Sequence, residues 1–175
     1  MSDLVRGMNP VGAINTAAEA KAAARASAVA IFLGVIWGVV GLVWMMGPGA
    51  EVMQAAMAEA AAGSPGGEGM AGMMTSMAVG FGAFLIVCQV ILGLVQWFKP
   101  NIVIPILFTV LVVYGLGSAV LSLTMANQMA AMGAAQQMPG WQVWGGIAVL
   151  VVELILHIAG IRGGSALNRF RYEEA

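Results

Sequence analysis

Charge is scarce in this chain. Only 9% of its 175 residues are Asp, Glu, Lys or Arg, against 61% hydrophobic, and at this length the two classes cannot be sorted into a core and a water-facing surface. A soluble domain is thereby excluded, and lipid has to be part of the solvent. Cysteine occurs once, as Cys88 inside an apolar run, which excludes disulfides within the chain and Cys-x-x-Cys redox chemistry. Histidine also occurs once, at His157, so one chain cannot supply two imidazoles to a haem, and the methionines lie too far from it for a His/Met pair. Ser118 and His157 fall on opposite sides of the midplane of their runs, on the order of 15 Å apart at the helical rise, so they make no hydrolytic dyad. The basic residues stand singly beside the ends of apolar runs, a pattern that excludes nucleic acid as a partner and suits lipid headgroups.

What the chain does have is four long apolar runs, 26–46, 76–98, 102–125 and 141–161. Each has the roughly 20 residues needed to cross about 30 Å of hydrocarbon as a helix. The fold class expected is all-α integral membrane, with four transmembrane helices in an antiparallel bundle and a short helix on the outer surface. Residues 1–25 form an Ala-rich N-terminal segment, 26–163 the membrane domain, 47–75 an outer loop and 164–175 a tail. Arg6, Lys21, Arg25, Lys99, Arg162, Arg169 and Arg171 all flank the same ends of the runs, while the opposite side carries only Glu51, Glu59 and Glu68. The basic-residue bias puts both termini in the cytoplasm of a bacterial inner membrane. The first run is too long and too far from the start for a cleaved signal peptide, and is expected to remain as an anchor.

Local signals divide the runs. Thr16 with Glu19 resembles a capping box, after which helix-compatible sequence continues into the first span. Gly47-Pro48-Gly49 ends that helix, residues 51–62 form a small Ala-rich helix, and residues 63–67 break before a second span whose helix starts near Met70. Lys99-Pro100-Asn101 permits only a helical hairpin between spans two and three, with Asn101 as the cap and Pro105 in a tolerant first turn. The third helix is expected to reach about Met132, Pro139-Gly140 opens the fourth, and Gly163-Gly164 separates it from the tail.

Small residues mark the helix faces that approach one another. Ala22, Ala26, Ala30, Gly34 and Gly38 recur at every fourth position of span one, and Gly34 with Gly38 forms a small-xxx-small contact. Intramolecular packing is the simpler use of that face, and self-association the sharper one. In span four, Gln142, Gly146, Val149, Glu153, His157, Gly160 and Gly164 form a polar and small stripe. Gly82, Gln89, Gly93 and Gln96 in span two, and Thr109, Tyr114 and Gly117 in span three, are the expected interior positions.

Counting inward from the span ends places Gln89, Tyr114 and Glu153 within roughly 3 Å of the same depth at the helical rise. An ionised carboxylate there costs several kcal/mol, so Glu153 is expected to be protonated or hydrogen-bonded, with Gln89 and Tyr114 as partners. His157, one turn away on the same face, extends the group toward Arg162. Such a cluster is either a relay for protons or cations or a polar knot that locks the bundle. The nearly apolar outer half favours the knot.

Twelve of the fourteen methionines lie at the outer ends or loops. Met70, Met73, Met74 and Met77 share one helical face, as do Met125, Met129 and Met132, and converging thioethers select copper(I). The alternative is a pliable apolar cap. That use is preferred, because no Cys or His stands beside the thioethers on the outer face. The reading reached is a non-enzymatic multi-pass protein without a cofactor, either a homo-oligomer or an accessory partner of other membrane subunits. The rival is a small proton or copper transporter or channel using Glu153, His157 and the outer methionines.

Overall fold

The computed structural model describes residues 3–60, 67–131 and 139–173. They form six helices in the order α1 (Asp3–Gly7), α2 (Ala17–Met46), α3 (Pro48–Ala60), α4 (Gly67–Phe98), α5 (Val103–Ala131) and α6 (Gly140–Glu173). No strand occurs among the described residues. Four of the helices are long and apolar enough to span a membrane: α2, residues 72–98 of α4, residues 103–125 of α5, and α6.

The helix ends follow the local chemistry. Thr16 has extended backbone and its hydroxyl accepts from the Glu19 N–H at 3.2 Å, while the Glu19 carboxylate accepts from the Asn15 N–H at 2.8 Å. The second half of the capping box therefore closes one residue earlier than the standard pattern. At the far end the Gly47 N–H donates to the Trp44 carbonyl at 3.1 Å. Gly49 then packs on the Trp44 ring so closely that a Cβ would meet it at 2.5 Å. Asn101 caps α5 as expected, its side-chain oxygen accepting from Val103 N at 2.9 Å and Ile104 N at 3.0 Å.

One boundary differs from expectation. The Gly163-Gly164 pair does not interrupt the fourth helix, since α6 continues through it to Glu173. These glycines are points of approach rather than a break. A Cβ on Gly163 would strike the backbone of Ala23 and Ala24 in α2, and one on Gly164 would lie 3.1 Å from Ile102 Cα. Glycine in a helix interior weakens it by about 1 kcal/mol relative to alanine, and here the backbone-to-backbone contact offsets that.

α2 is the central element. It packs most extensively on α6, then on α4, and α5 packs on α6. Gly163 meets Ala20, Ala23 and Ala24; Gly160 meets Ser27; Glu153 meets Gly34; and Gly145 with Gly146 receives the Trp37 indole. Residues 20–31 of α2 are buried at nearly every position, whereas Ile36 and Val43 in its other half are exposed. α4 and α5, adjacent in sequence, part beyond their turn instead of packing along their lengths. The hairpin expected there is joined through α2. Gln96, wholly buried, donates to the Ala24 carbonyl of α2 at 3.0 Å and to the Asn101 carbonyl at 3.1 Å, and accepts from Asn101 N at 3.3 Å.

The segment before α2 is docked too. Gly7 lies against the Ala22 and Ala23 backbone, and the Arg162 guanidinium donates to the carbonyls of Pro10 and Gly12. Arg162, expected at the inner end of a polar chain from Glu153, is therefore occupied with holding the N-terminal segment.

Candidate functional site

Among the described residues, the buried polar side chains are Ser27, Gln96, Glu153 and His157. Gln96 belongs to the α4–α5 turn. The other three lie along the α2–α6 contact, where small residues bring the two backbones close enough for short side chains to bridge them.

His157 is wholly buried, and its Nδ1 is 2.8 Å from the Ser27 hydroxyl. Its ring stacks on Phe108 of α5, with centroids 5.5 Å apart and planes inclined by 26°. The hydroxyl donates to Nδ1 when the ring carries its proton on Nε2 and accepts in the other tautomer. Nε2 is buried without a hydrogen-bond partner. The imidazole is thus pinned from two helices. Ser27 was not singled out from the sequence, although it is the one hydroxyl in an alanine-rich stretch, a residue away from the Ala22, Ala26 and Ala30 series.

Glu153 is 7% exposed, and its carboxylate lies over Gly34. Gln89 brings its side-chain oxygen to within 3.8 Å of the place where a Gly34 Cβ would stand. Glu153 and Gln89 therefore end over the same glycine, and both border a cavity of about 170 Å³ between α2, α4, α5 and α6. The rest of that cavity's wall is apolar, with Ile31, Phe108 and Leu150 among its residues, and His157 does not reach it.

Tyr114 is not part of this group. It is 75% exposed, although its depth along the helix matches that of Glu153. The inward face of α5 is set by Ile104, Phe108 and Val112, and Tyr114 lies two residues past Val112, about 200° round the helix. Depth alone does not place a side chain inside.

The small residues find partners within the chain. Gly34 receives Glu153, Gly38 lies 3.3 Å from Ile86 of α4 by its would-be Cβ, Gly146 lies against Trp37 and Gly160 against Ser27 and Pro105. Trp37 also meets Trp141 edge-on, with centroids 6.2 Å apart. Gly34 and Gly38 are used for contacts of α2 with α6 and α4, which leaves little of that seam for a second copy.

Met73, Met74 and Met77 are exposed along α4, and Met125 is exposed on α5. Met70 and Met129 lie in helices but their side chains, together with all of Met132, fall outside the described residues. Among the described residues no group of three His, Cys, Asp or Glu side chains is placed to hold a metal ion.

What this arrangement can do chemically is limited by how its two titratable groups are engaged. The imidazole and the carboxyl sit one helical turn apart, yet one bonds to Ser27 and the other fills the space above Gly34. Comparison of the chain with protein-family models, with curated proteins and with solved structures finds no match.

Proposed function

We propose that this chain is a non-enzymatic multi-pass protein of a bacterial inner membrane, its four spans forming an antiparallel bundle with both termini in the cytoplasm, and that it serves as a structural or accessory subunit. Its partners are further copies or other membrane subunits, met through the faces of α4 and α5. The observation that carries this reading is the use of the intramembrane polar groups. His157 is enclosed by Ser27 and Phe108, and Glu153 borders a small cavity with mostly apolar walls. A conduction path needs a continuous series of polar positions, whereas a polar knot needs only local partners. The outward sides of α4 and α5 meanwhile carry Phe81, Phe84, Ile91, Val110 and Leu121 exposed, a surface suited to lipid and to neighbouring helices.

A second reading, a proton or copper transporter or channel, draws on one observation: Glu153 and Gln89 both line the same cavity. Flux separates the two. In vesicles containing the purified protein, proton and copper(I) leakage is expected to match that of empty vesicles and to be unchanged by Glu153→Gln. A flux abolished by that substitution would replace the structural reading with the transport one. Chemical cross-linking in native membranes, followed by gentle solubilisation, is expected to trap the chain with itself or with other integral proteins; recovery only as a monomer argues against the subunit role.

A further inference from the structure

The seven cations of the chain are not equivalent. Arg25 donates to the Trp97 carbonyl at 3.0 Å and lies 5.2 Å from the centroid of that ring. Arg162 holds the carbonyls of Pro10 and Gly12, Arg169 lies 3.9 Å from Glu173, and Arg6 lines a separate cavity together with Glu19. Lys21, Lys99 and Arg171 have no such partner among the described residues, and all three line one cavity of about 830 Å³.

That cavity is framed by the start of α2, the α4–α5 turn and the end of α6, and among the described residues no carboxylate lines it. Helix dipoles do not account for the trio. A cation suits the C-terminal ends of α4 and α6, but Lys21 sits just past the first turn of α2, at the positive end of a helix. The remaining wall includes Val95, Phe98 and Leu167, and Phe98 closes the membrane-length apolar stretch of α4. Anionic and apolar requirements thus meet at one place, at the depth where hydrocarbon gives way to headgroups.

We propose that this cavity binds the phosphate of an anionic phospholipid, with Lys21, Lys99 and Arg171 on the headgroup and an acyl chain laid along Val95 and Phe98. A free phosphate would use the cations and leave the apolar wall bare. The site rests on the membrane reading but not on the role proposed for the bundle, and it is separate from Glu153 and His157.

The test uses the full chain in mild detergent, offered phosphatidylglycerol or phosphatidylcholine with the same acyl chains, with retained lipid read by native mass spectrometry. Phosphatidylglycerol is expected to be retained in preference, by on the order of a hundredfold if each of the three cations contributes as a juxtamembrane Lys or Arg does. K21Q/K99Q/R171Q is expected to bring the two lipids near parity, while R6Q/R169Q, which removes two cations of the same end, keeps the preference. The charge-conserving K21R/K99R/R171K keeps it as well, and if the triple neutral variant does not fold, each single neutral variant is expected to lower the preference several-fold. Persistence of the preference in the folded neutral variants, an equal loss in R6Q/R169Q, or displacement of the lipid by millimolar inorganic phosphate would each overturn the assignment. Alkaline carbonate extraction reports separately on membrane integration, so loss of the lipid site and loss of the membrane reading are distinguishable.

Discussion

The Glu153 carboxylate occupies the position where a side chain on residue 34 would begin. Gly34 is therefore one half of a matched pair: the absence of a Cβ on α2 is what lets the acidic side chain from α6 lie between the helices. A small residue in a span is usually read as permitting backbone contact. Here it permits a polar side chain to be buried.

The pair can be tested as a cycle. Gly34→Ala is expected to cost about 1–3 kcal/mol by overpacking, and the same substitution made in a Glu153→Ala background is expected to cost almost nothing, because the colliding atoms are gone. Reversible unfolding in mixed micelles measures both, and an interaction energy near zero removes the proposed match.

Substitutions of the acid itself should split by charge. Glu153→Gln keeps size and hydrogen-bonding capacity and is expected to change stability by less than about 1 kcal/mol, whereas Glu153→Lys introduces a cation that costs about 3 kcal/mol even by insertion scales. Expression level and thermal midpoint report the difference. Equal behaviour of the two variants rules out a buried carboxyl without a countercharge.

Gln96 joins three backbone groups to one side chain, and its loss leaves Asn101 N without that acceptor. Gln96→Met, close in volume, is expected to destabilise by about 1–3 kcal/mol. Hydrogen exchange should quicken at residues 99–102 before it does elsewhere, and uniform exchange across the chain would mean that the turn is held by something else.

Glycine positions along the helices should respond very differently to alanine. At Gly163 the obstacle is α2 backbone, which has no rotamer to yield, so Gly163→Ala is expected to separate α6 from α2 and to lose most of the folded population. Gly117 has nothing within 4 Å of a would-be Cβ, so Gly117→Ala is expected to raise stability by up to about 1 kcal/mol through helix propensity. Thermal unfolding of the two variants side by side checks the order, and similar midpoints would contradict the contact at Gly163.

Much of the site was visible as depth. Residue counts from the span ends put Gln89 and Glu153 at the same level, and the structure brings both to Gly34. The same count put Tyr114 there and was misled, because level along a helix and direction around it are independent, and the direction of α5 is decided by Phe108 and Val112 packing inward. Ser27 was overlooked for a related reason. A lone hydroxyl among alanines carries no periodicity of its own and acquires meaning only when His157 is placed 2.8 Å away.

The amino-acid sequence alone determined that the chain is helical, that it has four segments able to span a membrane, and that its cations flank one set of ends of the apolar runs. These follow from local rules, since each backbone must satisfy its own hydrogen bonds in hydrocarbon and each run must match a thickness. Only the tertiary structure decided that α2 stands at the centre, that α4 and α5 part after their turn, and that Gly163-Gly164 is a contact rather than a break. The reason is that apolar helices in lipid gain little from burying one apolar face over another. The choice among faces therefore rests on steric fit between particular small and large side chains, and that fit exists only once two helices are laid together.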